Sequence, residues 1–325
     1  MSPVKILISM LMTISFLVSP LEVYAGTEVL GIHILEPGEV TLAQKLLANG
    51  DDKDKFVTIP FTVLDIGETE RWQPFFDECH TLKIRPIIRL ATRVKDGAWT
   101  IPAREEIGEM ITFLSSLEWH RPELTVITFN EPNHAKEWGN SINPEEYAHL
   151  SMFAVNWMRT EAKTYTILPA GMDLDASNAS GTMEAFSYLR RVFAAEPDLA
   201  SAYDAWNSHS YPNPGFNANP NRIGKNSLRG FENELAFLHS YTQREYDVYI
   251  TETGWDSQKV PTKYINSYFQ TAFKKIWGKD PRIRAVTPFV LRGSPGVFAP
   301  FSFLDDRSNP TALYRAYRNI LTLSR

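Results

Sequence analysis

Apolar runs of β-type alternate along this chain with segments whose apolar residues recur at helical spacing. The runs predict strands over residues 29–35, 56–63, 85–91, 124–129, 165–170, 204–210, 247–251 and 283–291. Between and after them, helical patterns cover 41–49, 70–82, 103–117, 144–162, 182–195, 228–243, 261–277 and 310–322. Ile107, Met110, Ile111 and Leu114 follow the i, i+3, i+4, i+7 rule, as do Leu150, Phe153, Ala154 and Trp157. Asn143-Pro144 with Glu146, and Asn309-Pro310, each set a capping residue before a proline at a helix start. Strands alternating with helices in this way predict an α/β fold, a (β/α)8 TIM barrel in a single domain. The near-continuous apolar strands suit a parallel sheet covered on both faces. A doubly wound open sheet is the competing topology, but no glycine-rich phosphate loop follows the first strand.

The N-terminus reads differently. Lys5 precedes an apolar run over residues 6–18, Pro20 breaks it, and Val23-Tyr24-Ala25 offers small residues for cleavage before Gly26. The expectation is a signal peptide over residues 1–25 and a barrel domain over 26–325. The run is short for a membrane span, which needs about 20 apolar residues. The mature chain is therefore expected outside the cytoplasm, secreted, periplasmic or at the cell surface, with no stable membrane insertion. Cys79 is the only cysteine, so no internal disulfide can form and stability must come from the core. The formal charge of −5, without a basic stripe, argues against nucleic acid as a partner. The oligomeric state is not legible.

In a barrel the functional face lies at the C-terminal ends of the strands. There the sequence sets His33, Arg89, Asn130 with Glu131, Asp173, Asn207, His209, Tyr211, Glu252 with Trp255, and Arg292. A carboxylate at the end of an apolar strand is expensive to bury without compensation. Glu131 in Asn130-Glu131-Pro132 and Glu252 before Thr253-Gly254-Trp255 are therefore the leading catalytic candidates. Two carboxyl groups facing each other can divide the work of glycoside hydrolysis, one as acid and one as nucleophile. Those roles need different proton occupancy, raised in one by burial and repulsion and held down in the other by hydrogen bonds. Asn207, His209 and Tyr211 alternate and so share one face. Trp138, Trp206 and Trp255 flank the strand ends and are candidate sugar platforms, whereas Trp72, Trp119, Trp157 and Trp277 lie in helical contexts and read as packing; Trp99 is open. No metal motif and no cofactor fingerprint is present in the sequence, so no cofactor is expected.

Asn130-Glu131-Pro132, His209-Ser210-Tyr211 and Glu252 in Thr251-Glu252-Thr253-Gly254-Trp255 together resemble glycoside hydrolase clan A, the retaining barrel glycosidases. The resemblance implies Glu131 as acid/base on strand four, Glu252 as nucleophile on strand seven, Asn130 on the sugar 2-hydroxyl, and His209 and Tyr211 in support. The chain departs from typical family 5 members: strand two lacks an arginine, strand three carries Arg89 in place of a histidine, and strand eight has no tryptophan. Phe289, Phe298 or Phe303 would then take the stacking role, and the resemblance is to another bacterial branch of the clan. The expected activity is retaining hydrolysis of a β-linked polysaccharide or oligosaccharide, with a carbohydrate as the partner and endo action favoured by the short chain. The alternatives are a carbohydrate-binding or cell-surface assembly protein that does not hydrolyse, and a transglycosylase.

Overall fold

A computed structural model describes residues 29–322; the predicted signal segment lies outside the described residues. Among those residues eight parallel strands surround one axis: β1 (Gly31–His33), β2 (Lys55–Thr62), β3 (Ile84–Ala91), β4 (Glu123–Thr128), β5 (Thr164–Pro169), β6 (Trp206–Ser208), β7 (Val248–Ile250) and β8 (Ile283–Val286). They form two sheets, β1 to β5 and β6 to β8. Both seams are bridged. Val286 donates its N–H to Val29 at 2.7 Å and His33 to Pro288 at 3.0 Å, joining β8 to β1. Asp204 donates to Ile167 at 2.9 Å, and Asp173 bridges His209 beyond the strand ends, joining β5 to β6. These bonds close the sheet into a single-domain (β/α)8 TIM barrel, and the open doubly wound alternative is excluded.

The outer ring is built from α1 (Val40–Leu47), α2 (Thr69–Thr81), α3 (Arg104–Ser116), α4 (Pro144–Thr160), α5 (Ala185–Ala195), α6 (Gly230–Leu238), α7 (Thr262–Thr271) and α8 (Ala312–Thr322). The start of α4 follows the predicted chemistry, with Asn143 Oδ1 accepting the Glu146 N–H at 3.2 Å and Pro144 first in the helix. The single helix expected over 261–277 instead loosens after Thr271 into a wide turn, Ala272–Ile276, and a tight one, Trp277–Lys279. No helix among the described residues is long and apolar enough to cross a membrane.

Inside the barrel, Ile87, Ile127, Leu168, Ala205 and Ala285 make an apolar layer. Two residues further along the chain from Ala205 and Ala285, Asn207 and Thr287 begin a polar belt. Thr58 Oγ1 and Thr287 Oγ1 lie 2.8 Å apart, Thr251 Oγ1 donates to Asn207 Oδ1 at 2.6 Å, and Asn207 Nδ2 donates to the Pro169 carbonyl. Every member of this belt is buried and bonded, as a low-dielectric interior demands. It forms the floor of the site above.

Candidate active site

β4 ends in a sharp turn. Phe129 and Glu131 have φ of +77° and +29°, a region that strains residues with a Cβ. The Glu131 N–H is held by the Gly171 carbonyl at 3.1 Å, and the Glu131 carbonyl accepts the His134 N–H at 2.8 Å. The turn aims the Glu131 carboxyl inward. Glu252 follows the end of β7 by two residues and points into the same mouth.

Glu252 is almost fully enclosed by donors. Its Oε1 accepts from Arg89 Nη1 at 2.5 Å, and its Oε2 accepts from the Tyr211 hydroxyl at 3.2 Å. His209 Nδ1 lies 2.7 Å from Glu131 Oε1 and 4.0 Å from Glu252 Oε2. One carboxylate oxygen of each glutamate and a ring nitrogen of His209 fall within 4.8 Å of one another. Burial alone would push the Glu252 carboxyl up, but the charges of His209 and Arg89 outweigh it and hold the group below the ordinary carboxylate range. Burial likewise works against a charged His209, yet the adjacent Glu252 and the bond to Glu131 raise it. Tyr211 keeps its proton, because burial and then the Glu252 charge push the phenol up. The three groups have metal-like spacing, but the Arg89 guanidinium already supplies the positive charge that a cation would bring.

Arg89 comes from β3 and also donates to Asn130 Oδ1 at 2.8 Å, so one guanidinium fixes both the amide and the carboxylate. The cation absent from β2 is thus supplied by the next strand. His33 on β1 is fully buried with Nε2 3.7 Å from Glu252, and neither ring nitrogen has a hydrogen-bond partner. Burial, reinforced by Arg89, pushes its pKa down to about 3, so it sits there neutral.

His209 packs against Gly171, where an added Cβ would overlap Cδ2 and Nε2 of the imidazole. Gly171→Ala is therefore expected to displace the ring from Glu131 and lower kcat by at least about tenfold with little change in fold, given that a misplaced proton-transfer group loses about 10²-fold or more. Steady-state kinetics alongside circular dichroism checks this, and an unaltered kcat would contradict it.

Three tryptophan expectations need correction. Trp206 has 0% exposure, packed between Tyr203 and Tyr246. It opens β6, at the end remote from the mouth, and alternates outward where Asn207 and His209 turn inward. Trp255 has 1% exposure; it packs on Tyr268 and Phe269 and donates Nε1–H to the Ala218 carbonyl, so it anchors the loop after β6 and offers no face to a sugar. Trp138 is wedged between Phe129 and Tyr147 and, although it borders the recess beside Asn130, is almost fully buried. Of the phenylalanines, Phe303 is buried against Phe269 and Tyr317, whereas Phe289 and the half-exposed Phe298 meet at the mouth. Asn207 belongs to the polar belt, and Arg292 points out beside Glu39.

The sequence reading missed Glu137 and His134, both in the segment after β4. Glu137 Oε2 accepts from Asn130 Nδ2 at 3.1 Å, and burial, with the Glu131 charge adding to it, raises its carboxyl. His134 Nε2 is 2.7 Å from Asp173, a bond that raises the imidazole. The only available signal was position, since a loop following a catalytic strand end is a place where function gathers.

A family model described as the glycosyl hydrolase catalytic core matches residues 102–317, more than half of the chain. The chain belongs to the glycosyl hydrolase catalytic core family. It is an O-glycosyl hydrolase, and the non-hydrolysing alternative falls with that membership. No curated protein matches this glycosyl hydrolase by sequence. Among solved structures, a glucosidase from Croceicoccus marinus superposes with a TM-score of 0.66 at 8% identity, over 91% of this chain and 68% of that one. Pseudomonas stutzeri endoglucanase Cel5A gives 0.56 at 13%, over 90% and 94%. A GH5_18 protein from Bifidobacterium longum subsp. infantis gives 0.55 at 10%, over 89% and 73%. Identities this low speak for the barrel. The matched family span begins after β3, so His33 and Arg89 lie outside it.

Proposed function

We propose that this glycosyl hydrolase cleaves a β-linked polysaccharide or oligosaccharide with retention, Glu131 acting as acid/base and Glu252 as nucleophile. The observation that carries the reading is the approach of the two carboxyl groups to within 4.8 Å. Retaining pairs stand about 5–5.5 Å apart, whereas inverting pairs leave about 6.5–9.5 Å for a water. The differing surroundings of the two acids support the division of roles. Glu252 is held ionised by Arg89, Tyr211 and His209, as a nucleophile must be. Glu131 has a single donor, His209 Nδ1, which can pass it a proton across 2.7 Å.

In the first step a Glu252 oxygen bonds to the anomeric carbon as the glycosidic C–O bond breaks, and the Glu131 carboxyl gives its proton to the departing oxygen. Glu131, now a carboxylate, then takes a proton from water. The resulting hydroxide attacks the anomeric carbon and releases Glu252. Asn130, oriented by Arg89, faces the sugar 2-position.

Proton NMR of the first product formed from a β-linked substrate tests the reading: the β-anomer is expected, and prompt appearance of the α-anomer would overturn it. A 2-deoxy-2-fluoro glycoside with a good leaving group should leave a glycosyl ester on the peptide containing Glu252, read by mass spectrometry.

A further inference from the structure

We infer that His33 is a positioning residue for the reaction: from β1 its neutral imidazole turns an Nε2–H toward Glu252 Oε1 and, by that dipole, holds the carboxylate where it attacks the sugar. The inference rests on the reading of Glu252 as the nucleophile.

His33 reaches the site because β1 alternates, so that Gly31 and His33 face the barrel interior. A Cβ on Gly31 would collide with Phe56 and Thr287 Cγ2, so the strand carries no side chain at the lower level and a ring at the upper one. Phe289 meets that ring edge-on at 5.1 Å, and the whole side chain is enclosed. Thr58, its register partner on β2, is bonded to Thr287, which donates to the Thr251 carbonyl. These hydroxyls are engaged with each other and not with the ring. Neither ring nitrogen has a hydrogen-bond partner among the described residues. An unmet polar group is costly in such an interior, and one kept at that cost calls for a use.

Nε2 faces Glu252 Oε1 at 3.7 Å. The carboxylate favours the tautomer with its hydrogen on Nε2, because that hydrogen then faces negative charge. At this distance the contact is a dipole directed at a charge, not a hydrogen bond. Other groups face the pair from around the mouth: Arg89 from β3, Glu131 and Glu137 from after β4, and His209 and Tyr211 from after β6. β8 leads to the uncharged Phe289. Arg89 already brings a full positive charge to Oε1 at 2.5 Å, and burial with that charge keeps the imidazole neutral, with a pKa of about 3. A second full charge would stabilise the resting carboxylate against the bond it must make with carbon. A neutral ring fixes its place with less.

Nitrogen-15 NMR of the wild-type imidazoles tests the tautomer: His33 should stay neutral between about pH 5 and 8, with its hydrogen on Nε2. A charged His33, or one protonated only on Nδ1, overturns the inference. In protein labelled with carbon-13 at the glutamate carboxyls, Glu252 gives the signal lost in Glu252→Gln, and its titration needs no substrate. His33→Phe and His33→Leu fill the space but remove the donor, so Glu252 should titrate at higher pH than in wild type. His33→Gln, with an amide N–H, should bring it part of the way back. On a dinitrophenyl β-glycoside that the wild type cleaves, the acid limb of kcat/KM should move the same way, and kcat should fall by roughly tenfold or more, the scale of a small misplacement. A role in packing alone would lower Tm in these variants and leave the Glu252 titration in place, and that result overturns the inference. If the fluoro glycoside labels Glu252 while the titration is unmoved, the double-displacement reading stands without it. Turnover persisting in Glu252→Gln sinks that reading and the positioning role with it, whatever the titration shows.

Discussion

Glu252→Gln is expected to lower kcat by about four orders of magnitude or more, as loss of a covalent nucleophile does. The amide is nearly isosteric, so the barrel should keep its near-ultraviolet circular dichroism. Arg89 retains Asn130 as a partner, and Tyr211 can still donate to the amide oxygen. Glu131→Gln should behave differently in a way that separates the two roles. With a dinitrophenyl glycoside the leaving group needs no proton, so Glu131→Gln should still form the glycosyl enzyme and show a burst of dinitrophenol. Glu252→Gln should show none. Equal impairment of both variants in that first step would remove the assignment of roles.

The second large effect concerns stability. Glu234 on α6 is fully buried behind β6; Ser208 donates to its Oε2, and its Oε1 has no partner. Ser208 and Ser210 share a hydrogen bond of 2.8 Å, and Ser210 Oγ accepts the Phe231 N–H at 3.0 Å. Burial pushes the Glu234 carboxyl from an ordinary 4.5 up to about 7. The folded protein therefore holds this proton more tightly than the unfolded chain does. The associated stability is fully present below pH 4.5 and is lost as pH rises through 7. At about 1.4 kcal/mol for each pH unit, the loss amounts to roughly 3 kcal/mol. His33 runs the other way, since its depressed pKa makes stability rise from about pH 3 to 6.5. The wild-type curve mixes these with the other shifted groups, but Glu234→Gln removes only the first. Relative to wild type, the variant should gain roughly 3 kcal/mol between pH 4.5 and 8 in denaturant titrations. Parallel curves for the two proteins would refute the buried, proton-holding role.

Much of the fold and part of the site could be read from residue pattern. The apolar runs located all eight barrel strands within a few residues, because a parallel strand buried on both faces leaves a continuous apolar signature. Glu131, Glu252, His209, Tyr211 and Arg89 converge in the structure because each stands at or just past a strand end, a position that alternation and length can locate. What escaped were facts that depend on the facing of a strand or on a partner distant in sequence. Trp206 looks like a platform by proximity to His209, yet the two are an odd number of positions apart, so they point oppositely. Trp255 follows Glu252 closely, but the turn at Gly254, with φ of +143°, sends it back into the core. Glu137 is seen only once the loop after β4 folds back onto Asn130. The bond from Arg89 to Glu252 spans two strands that no local pattern connects.

The Tyr317 hydroxyl on α8 donates to the Gly31 carbonyl at 2.8 Å and accepts the Gly31 N–H at 3.2 Å, across 286 positions of chain. Arg318 on the same helix caps the carbonyls of Leu46 and Ala48 at the end of α1. The first strand and first helix therefore complete their contacts only after α8 has been made. Such distant contacts close slowly, because the entropy of a long loop must be overcome before they form. A ribosome-bound chain that stops before α8 should hold the catalytic strands in an unsealed barrel, leaving hydrolytic competence to arrive only once α8 has emerged.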